Sequence, residues 1–327
     1  MAETIRTNTL IIGAGLAGLV AAQHLAHPTI LIDKGRRPGG RLATRPLGPG
    51  MADHGAQFFT VRTPEFQAQV DRWLAKGLVF KWSNGWSDGS LGSTPTDGHP
   101  RYAVRDGIAQ LPLSLANKLN IRARRRVVSV REVAGGWQAL DDHGQIYDAD
   151  RLLMTPPVPQ ALDLLATSGV ALDPADRDAL EPITYHPCLA GVFWVNGEIH
   201  LPEPGAVQRP NATVTWIADN RRKGISPQAT VITVHAGPAY SRDLWDQPDW
   251  QIVVALEAAL RPFKDLYTSV VEARLKRWRY ATPVQTHPEH CLVAQGLPPL
   301  VFAGDGFGAP RTEGAYLSGL AASAALS

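Results

Sequence analysis

The spacing of apolar and polar positions changes character twice in the first forty residues. Thr9 to Ile12 is an unbroken apolar run, as expected of a strand buried on both faces. Leu16 to His27 has apolar residues at helical spacing and is stopped by Pro28, and Thr29 to Ile32 is a second apolar strand. Residues 36–57 hold many Gly and Pro and predict an extended, loop-rich path. Pro64 to Lys76 predicts a helix with Phe66, Val70, Trp73 and Leu74 on one face, followed by a strand over Leu78–Trp82 and a polar loop over 83–100. Gly107 to Leu119 predicts another helix. Short strands near Val127–Val130, Gly136–Leu140, Gln145–Asp148 and Arg151–Met154 then form a meander that ends at Thr155-Pro156-Pro157. Residues 160–275 mix strands (Ala190–Val195, Thr213–Ala218, Thr230–His235) with helices, of which Asp249–Phe263 is the clearest. The chain closes on a strand over Leu300–Ala303, a Gly-rich turn and an Ala-rich helix. No segment repeats another.

Composition narrows the class. A chain of 327 residues exceeds the size at which one core usually stops growing, so two domains are expected. With 19% charged and 44% hydrophobic residues it reads as a soluble globular protein. A formal charge of +2 argues against nucleic acid as a partner, and the basic run Arg122–Arg126 is short enough to be the solvated start of a strand. The two cysteines, Cys188 and Cys291, lack CxxC spacing, which suits a reducing cytoplasm and gives no zinc site. None of the ten histidines has a HExxH-like spacing, so no metal is expected. The polar N-terminus does not read as a signal peptide, and no apolar run is long enough to cross a membrane.

Candidate chemistry starts at Gly13, Gly15 and Gly18, a GxGxxG that follows a strand and opens a helix. The first glycine permits the tight turn, the second lets a diphosphate approach the backbone, and the third lets helix and strand pack closely. Asp33, at the end of the second strand, stands where a ribose-binding carboxylate belongs. A carboxylate there repels a 2′-phosphate, which leaves NAD or FAD. Gly39-Gly40-Arg41 offers a second backbone approach with a cation, suited to a diphosphate bound in extended form. Far downstream, Gly304-Asp305 follows a strand and Gly314-Ala315 opens a helix. Asp305 can take ribitol hydroxyls, and the helix can aim its positive end at a flavin's pyrimidine edge. Three separated segments converging on one extended ligand favour FAD over NAD.

These motifs resemble the flavin amine-oxidase and p-hydroxybenzoate-hydroxylase-like superfamily over the whole chain. Asp53–Phe66 (DHGAQFFTVRTPEF), Trp216–Gly224 (WIADNRRKG), Arg277–Pro283 (RWRYATP) and GDGFGAPRTEGAYLSG more narrowly resemble the bacterial renalases. The resemblance implies an α/β fold: a Rossmann-type FAD-binding domain over 1–60, 98–158 and 276–327, interleaved with a mixed α+β substrate domain over 61–97 and 159–275 that carries an antiparallel sheet. It implies oxidation of 2- or 6-dihydro isomers of NAD(P), with hydride passing to flavin N5 and on to oxygen as hydrogen peroxide. It places Leu16, Ala17, Lys34, Gly55, Ala56, Gln57 and Thr312 on the FAD beside the glycines, Asp33, Arg41, Asp305 and Ala315, with Val127 or Val128 offering backbone to the adenine.

The reaction asks little of side chains. A dihydropyridine that loses hydride becomes an aromatic pyridinium and no substrate proton must be removed, so positioning does the work. No catalytic acid or base is assigned. Substrate contacts are expected from Gln57, Phe58, Thr60, Trp82, His186, Trp216, Asn220, Tyr280 and Arg311, with Thr96 for the nucleotide tail. Trp82 and Trp216 could equally be core. An amine oxidase of this superfamily typically carries a lysine near flavin N5, and the segment expected to supply it, Thr184–Gly191, has none. No cysteine is placed to link the flavin, so FAD is expected to bind non-covalently.

Overall fold

The structure is a computed structural model that describes residues 4–90 and 96–327. The chain divides into two compact units. The first takes Met1–Gly40, Pro112–Tyr185 and Thr282–Ser327, and the second takes Arg41–Leu111 and His186–Ala281. Relative to the sequence-based boundaries, 41–60, 98–111 and 276–281 group with the second unit and 159–185 with the first. Packing explains two of these shifts. Leu47 and Ala52 of the early segment pack with Val192, Ala229 and Val231, while Val158, Ala161, Leu165 and Leu180 are buried in the first unit's core.

The first unit is built on a sheet ordered Leu292–Val293, Leu300–Phe302, Ile146–Met154, Ile5–Ile12, Thr29–Asp33, Asn120–Ala123. From Leu300–Phe302 onward the strands pair in parallel. Parallel strands are covered on both faces, which is why Leu10–Ile12, Ile30–Ile32 and Leu152–Met154 are unbroken apolar runs. Ile146–Met154 is one strand where two were expected. Asp148, Asp150 and Arg151 interrupt the apolar pattern, but the ladder to Ile5–Ile12 continues through them. Its first half also pairs antiparallel with Gly136–Asp141, which pairs in turn with Val127–Val133 and completes the meander. Helices Leu16–His24 and Arg311–Leu326 approach so closely that a Cβ on Gly319 would lie 2.5 Å from the Ala17 carbonyl oxygen.

The second unit carries a five-stranded sheet ordered Ala206–Gln208, Val214–Asp219, Thr230–Ala236, Tyr185–Asn196, Ser269–Pro283. Its core joins Leu189, Phe193, Ile217, Ile232 and Val234 to Ile252, Leu256 and Leu260 of the expected helix, which runs as an α-helix over Asp249–Glu257 and tightens to a 3-10 turn over Ala258–Phe263. The strand Ser269–Pro283 has no counterpart among the sequence expectations. Arg274, Lys276, Arg277 and Arg279 mask its apolar positions, and two of their charged heads lie over rings: the Lys276 ammonium 4.7 Å from the Trp278 centroid and the Arg279 guanidinium 5.4 Å from that of Trp245.

Three further expectations are corrected. The stretch 36–57 is not loop throughout, since Thr44–Leu47 and Gly50–Asp53 form a hairpin. The helix expected over Gly107–Leu119 is confined to Gln110–Leu115. Gly107, with a φ of +105°, is not helical, and the Ile108 and Ala109 N–H groups at the helix entrance are taken by Asp53 Oδ1 at 2.8 Å and Thr44 Oγ1 at 3.0 Å. In helix Pro64–Ala75 the Thr63 side chain caps the Phe66 N–H and Phe66, Val70 and Trp73 are buried, but Leu74 falls off the stripe and is 36% exposed. No helix among the described residues is long and apolar enough to cross a membrane.

Candidate functional site

In the first unit the strand Ile5–Ile12 runs into Gly13, whose φ of +102° would strain any other residue. Gly18 faces it from inside the helix, where a Cβ would sit 2.2 Å from the Gly13 carbonyl oxygen. Gly15 differs: a Cβ there would meet no atom within 4 Å. The helix starts at Leu16 with no side-chain cap, so the N–H groups of its first turn have no intrahelical acceptor. Asp33 steadies this turn. Its Oδ2 accepts from the Ala14 N–H at 2.7 Å and its Oδ1 from the Gly35 N–H at 2.6 Å. A carboxylate offers about four acceptor positions, which leaves capacity for two ribose hydroxyls. The Gly39 N–H donates to the Ala14 carbonyl at 2.7 Å and brings the second glycine pair onto the first. Lys34 Nζ donates to Gln160 Oε1 at 3.0 Å.

Thr155 ties this turn to the C-terminal one, a role not evident from its place at the end of the meander. Its hydroxyl donates to the Ile12 and Gly13 carbonyls at 2.9 and 3.0 Å, and a Cβ on Gly304 would lie 3.7 Å from its carbonyl oxygen. The Gly304 N–H donates to Ser318 Oγ at 2.8 Å, and Asp305 and Thr312 are buried nearby in sequence. Helix Arg311–Leu326 also begins without a side-chain cap. Arg311 is exposed and holds a left-handed φ of +88°, a conformation that costs a non-glycine residue about 1–3 kcal/mol. Val127 is buried and Val128 exposed.

The second unit gathers five of the ten expected substrate residues, Gln57, Phe58, Trp82, Trp216 and Asn220, around a buried ion pair and the aromatic cluster beside it. Lys223 Nζ donates to Asp53 Oδ2 and to the Gln57 carbonyl, each at 2.5 Å, and neither side chain of the pair is exposed. Burial pushes the Lys223 ammonium below its ordinary range, and Asp53 opposes that shift. Thr44 Oγ1 donates to Asp53 Oδ1 at 2.6 Å, and Gln57 Nε2 donates to the carbonyls of Asp53 and Gly55 at 2.7 and 3.1 Å. Gly55 passes so near Arg41 that a Cβ would sit 2.0 Å from the Arg41 carbonyl oxygen, and Arg41 Nη1 donates to the Ala281 carbonyl at 3.1 Å. Phe58, Trp82 and Trp216 join Trp86 in one aromatic cluster, with Ala206 and Ala218 beneath.

Lys223 and Trp86 were not anticipated. Lys223 stands in a run with two exposed arginines, and nothing in the local pattern marks it as the buried one. Asn220, expected on substrate, has its amide committed: Nδ2 donates to the Val231 carbonyl at 2.8 Å and Thr233 Oγ1 at 3.0 Å, and Oδ1 accepts from the Asp53 N–H at 3.2 Å. Ala56 lies beside Gly55, and its N–H donates to the Arg41 carbonyl at 2.9 Å. Thr60, His186 and Tyr280 are half-buried, and Thr96 lies exposed in a loop.

Two histidines of the second unit are held neutral. Burial, then the charges of Arg45, Lys276 and His235, lower His54 to about 3. Burial and Lys223 lower His235 to about 4, against a hydrogen bond to the His54 backbone. Because the folded values lie below the unfolded value, the unfolded chain binds the extra protons, so stability is intact above about pH 6.5 and falls as the pH drops toward 4. The slope is at most about 1.4 kcal/mol per pH unit per histidine. Denaturant midpoints measured from pH 7 to pH 4 should show this fall, and His54→Phe should flatten it. A His54→Phe profile that overlies the wild type would contradict the assignment.

A glycine turn between parallel strands, an acidic residue closing the second strand and a C-terminal strand–turn–helix on the same sheet define a dinucleotide-binding unit, here carried in one chain with a unit whose strands Ala206–Gln208, Val214–Asp219, Thr230–Ala236 and Tyr185–Asn196 pair antiparallel. The chain belongs to the flavin-containing amine oxidoreductase family, which matches residues 91–327, and an NAD(P)-binding Rossmann-like domain matches residues 11–75. It is a flavin-dependent oxidoreductase by that membership. Mouse renalase (Mus musculus) is 25% identical over 236 residues, covering 67% of this chain and 68% of that one. A crystal structure assigned to a protoporphyrinogen oxidase of Exiguobacterium sp. 255-15 superposes with a TM-score of 0.70 at 14% identity, over 98% of both chains. A putrescine oxidase bound to putrescine gives a TM-score of 0.66 at 13% identity, over 98% of this chain and 99% of that one. These structural likenesses establish the fold alone.

Proposed function

We propose that the chain is a cytoplasmic, FAD-dependent oxidase of misreduced nicotinamide dinucleotides, the 2- or 6-dihydro isomers of NAD(P). Non-covalently bound FAD would supply a hydride acceptor at N5 and, through oxygen, a route to hydrogen peroxide. The balance is dihydro-NAD(P) plus oxygen and a proton giving NAD(P)+ and hydrogen peroxide. In the first unit, the backbone at Gly13, Gly15, Leu16, Ala17, Gly18 and Gly40 would hold the diphosphate. Asp33 and Asp305 would take hydroxyls, and Thr312, Gly314 and Ala315 would meet the pyrimidine edge. The open approach at Gly15 and the acceptor capacity left on Asp33 support that fit.

The observation that carries the substrate reading is the aromatic cluster of Phe58, Trp82, Trp86 and Trp216, in which Phe58 directly follows Gln57 in the chain. It offers flat apolar surface for a ring, and hydride loss from a dihydropyridine needs a positioned ring and no base. Oxidation of an amine is the rival reading, and the buried Lys223 favours it. Against it, Lys223 is already engaged by Asp53 and the Gln57 carbonyl, and it presents a like charge to an ammonium. A thiol-based redox sensor is poorly supported, since burial pushes Cys188 up to about 12 and also raises Cys291.

Anaerobic mixing tests the proposal. Borohydride-treated NAD, which contains the 2-, 4- and 6-dihydro isomers, should bleach the flavin absorbance of the purified protein, and pure 4-dihydro NADH should not. Air should then restore the colour with formation of peroxide. A protein bleached by an amine panel and untouched by the mixture would replace this reading with amine oxidation.

A further inference from the structure

Six buried side-chain atoms of the second unit have no hydrogen-bond partner among the described residues, and three of them belong to the aromatic cluster and to the residue that precedes Phe58 in the chain: Gln57 Oε1, Trp86 Nε1 and Trp216 Nε1. Their residues are 5%, 6% and 5% exposed. The Trp86 and Trp216 rings meet edge to face with centroids 4.9 Å apart. Phe58, next to Gln57 in the chain, lies 5.0 Å from Trp86 and 5.3 Å from Trp216. The Gln57 carbonyl accepts from Lys223, whose ammonium is 4.9 Å from the Trp82 ring. Trp82 has spent its own N–H on the Pro204 carbonyl at 3.3 Å. The cluster is therefore left with two N–H donors and one amide acceptor, all removed from water. Groups in that condition are costly unless something pairs them.

The orientation of Gln57 is fixed by its surroundings. Its other terminal atom faces two carbonyl oxygens, those of Asp53 and Gly55, so it must be the NH2, and the oxygen must be the unpaired atom. The class of ligand follows from what complements this set. A carboxylate supplies acceptors for the indoles but sets a negative charge against Gln57 Oε1. An ammonium supplies donors only, leaves both indole N–H groups unanswered, and meets Lys223 as a like charge. A primary carboxamide on a planar ring supplies an acceptor and a donor together.

We propose that Gln57 Oε1 accepts from the NH2 of the substrate's ring carboxamide while the indole N–H groups of Trp86 and Trp216 donate to its oxygen. This rests on the dihydronicotinamide reading above and adds the group that is recognised. It also assigns Trp86 to substrate for the first time. Anchoring the carboxamide orients the ring, because positions 2 and 6 flank the ring nitrogen and exchange places when the ring is turned over about the axis from that nitrogen to C4.

The test compares two borohydride-reduced dinucleotides in anaerobic flavin bleaching: NAD and its 3-acetylpyridine analogue. The analogue keeps the carbonyl oxygen and loses the NH2. Wild-type protein should be half-saturated by the NAD mixture at about tenfold lower concentration than by the acetyl mixture, the discrimination expected of a site whose acceptor is left unpaired. Gln57→Met should bring that ratio near one. Trp216→Phe and Trp86→Phe, which delete an N–H and keep the ring, should weaken both mixtures alike and preserve the ratio, a signature that loss of structure alone does not give. Should Gln57→Met fail to fold, the tryptophan variants and the wild-type ratio still decide. A wild-type ratio of one with both mixtures bleaching overturns the carboxamide assignment and leaves the oxidase reading standing. Bleaching by neither overturns both.

Discussion

Replacing Lys223 with methionine is expected to destabilise the protein by about 3–5 kcal/mol, the cost usually found when one partner of a buried ion pair is removed. Asp53 would be left as an uncompensated charge with none of its side chain exposed. It could not relax toward water, because Thr44 and Ile108 hold its Oδ1 and its backbone N–H is bound to Asn220. The damage would spread along the segment. The Gln57 carbonyl loses its donor, and that residue is the hinge between the ion pair and the aromatic cluster. Guanidinium unfolding of the variant should show a large drop in midpoint, or the protein should be recovered only as aggregate. Adding Asp53→Asn to Lys223→Met should recover part of the loss, since the amide oxygen can still serve Thr44 and Ile108 with no charge left to bury. Equal midpoints for wild type and Lys223→Met would mean that the pair is dispensable. High salt should change little, because buried charges are poorly screened.

How much of this could be read from sequence depended on whether the physics was local. Gly13, Gly15, Gly18 and Asp33 were legible because backbone strain, close approach and a strand-end carboxylate all fall within one strand–helix–strand unit, where spacing encodes geometry. The meander was legible for the same reason, its turns being marked by Gly and Asp. Thr155 was not, because its hydroxyl acts on Ile12 and Gly13 across more than 140 residues of chain. Lys223 was hidden in the opposite way. Its neighbours Arg221 and Arg222 are exposed, and only a partner 170 residues away distinguishes it from them. The short helix at Gln110–Leu115 shows the same limit, since its entrance is held by the side chains of Thr44 and Asp53, more than fifty residues away in the chain. Trp82 and Trp216 were left between core and site by sequence. The structure puts them in one aromatic cluster, with Trp216 buried and Phe58 and Trp82 half-open.

A pair of single-methyl substitutions separates the fold of the glycine turn from its ligand. Gly15→Ala is expected to leave folding intact, because its Cβ would meet no protein atom within 4 Å. Any loss of flavin affinity in that variant must then come from the methyl meeting the ligand. Gly18→Ala is expected to act through the protein: its Cβ would lie 2.2 Å from the Gly13 carbonyl oxygen, 3.1 Å from Thr155 Oγ1 and 3.3 Å from Ile11 Cγ2, so the turn itself must move. Strain of that kind costs about 1–3 kcal/mol. Carried into binding, 3 kcal/mol is roughly a 100-fold loss of flavin affinity. Titrating FAD into deflavinated protein should show both variants weakened, while thermal unfolding of the flavin-free proteins should show only Gly18→Ala shifted. The contrast is diagnostic because the two glycines sit three positions apart on one helix entrance and differ only in what surrounds them. A Gly15→Ala protein that binds flavin as tightly as wild type would remove the diphosphate from this turn, and with it the basis for reading Asp33 as a ribose ligand.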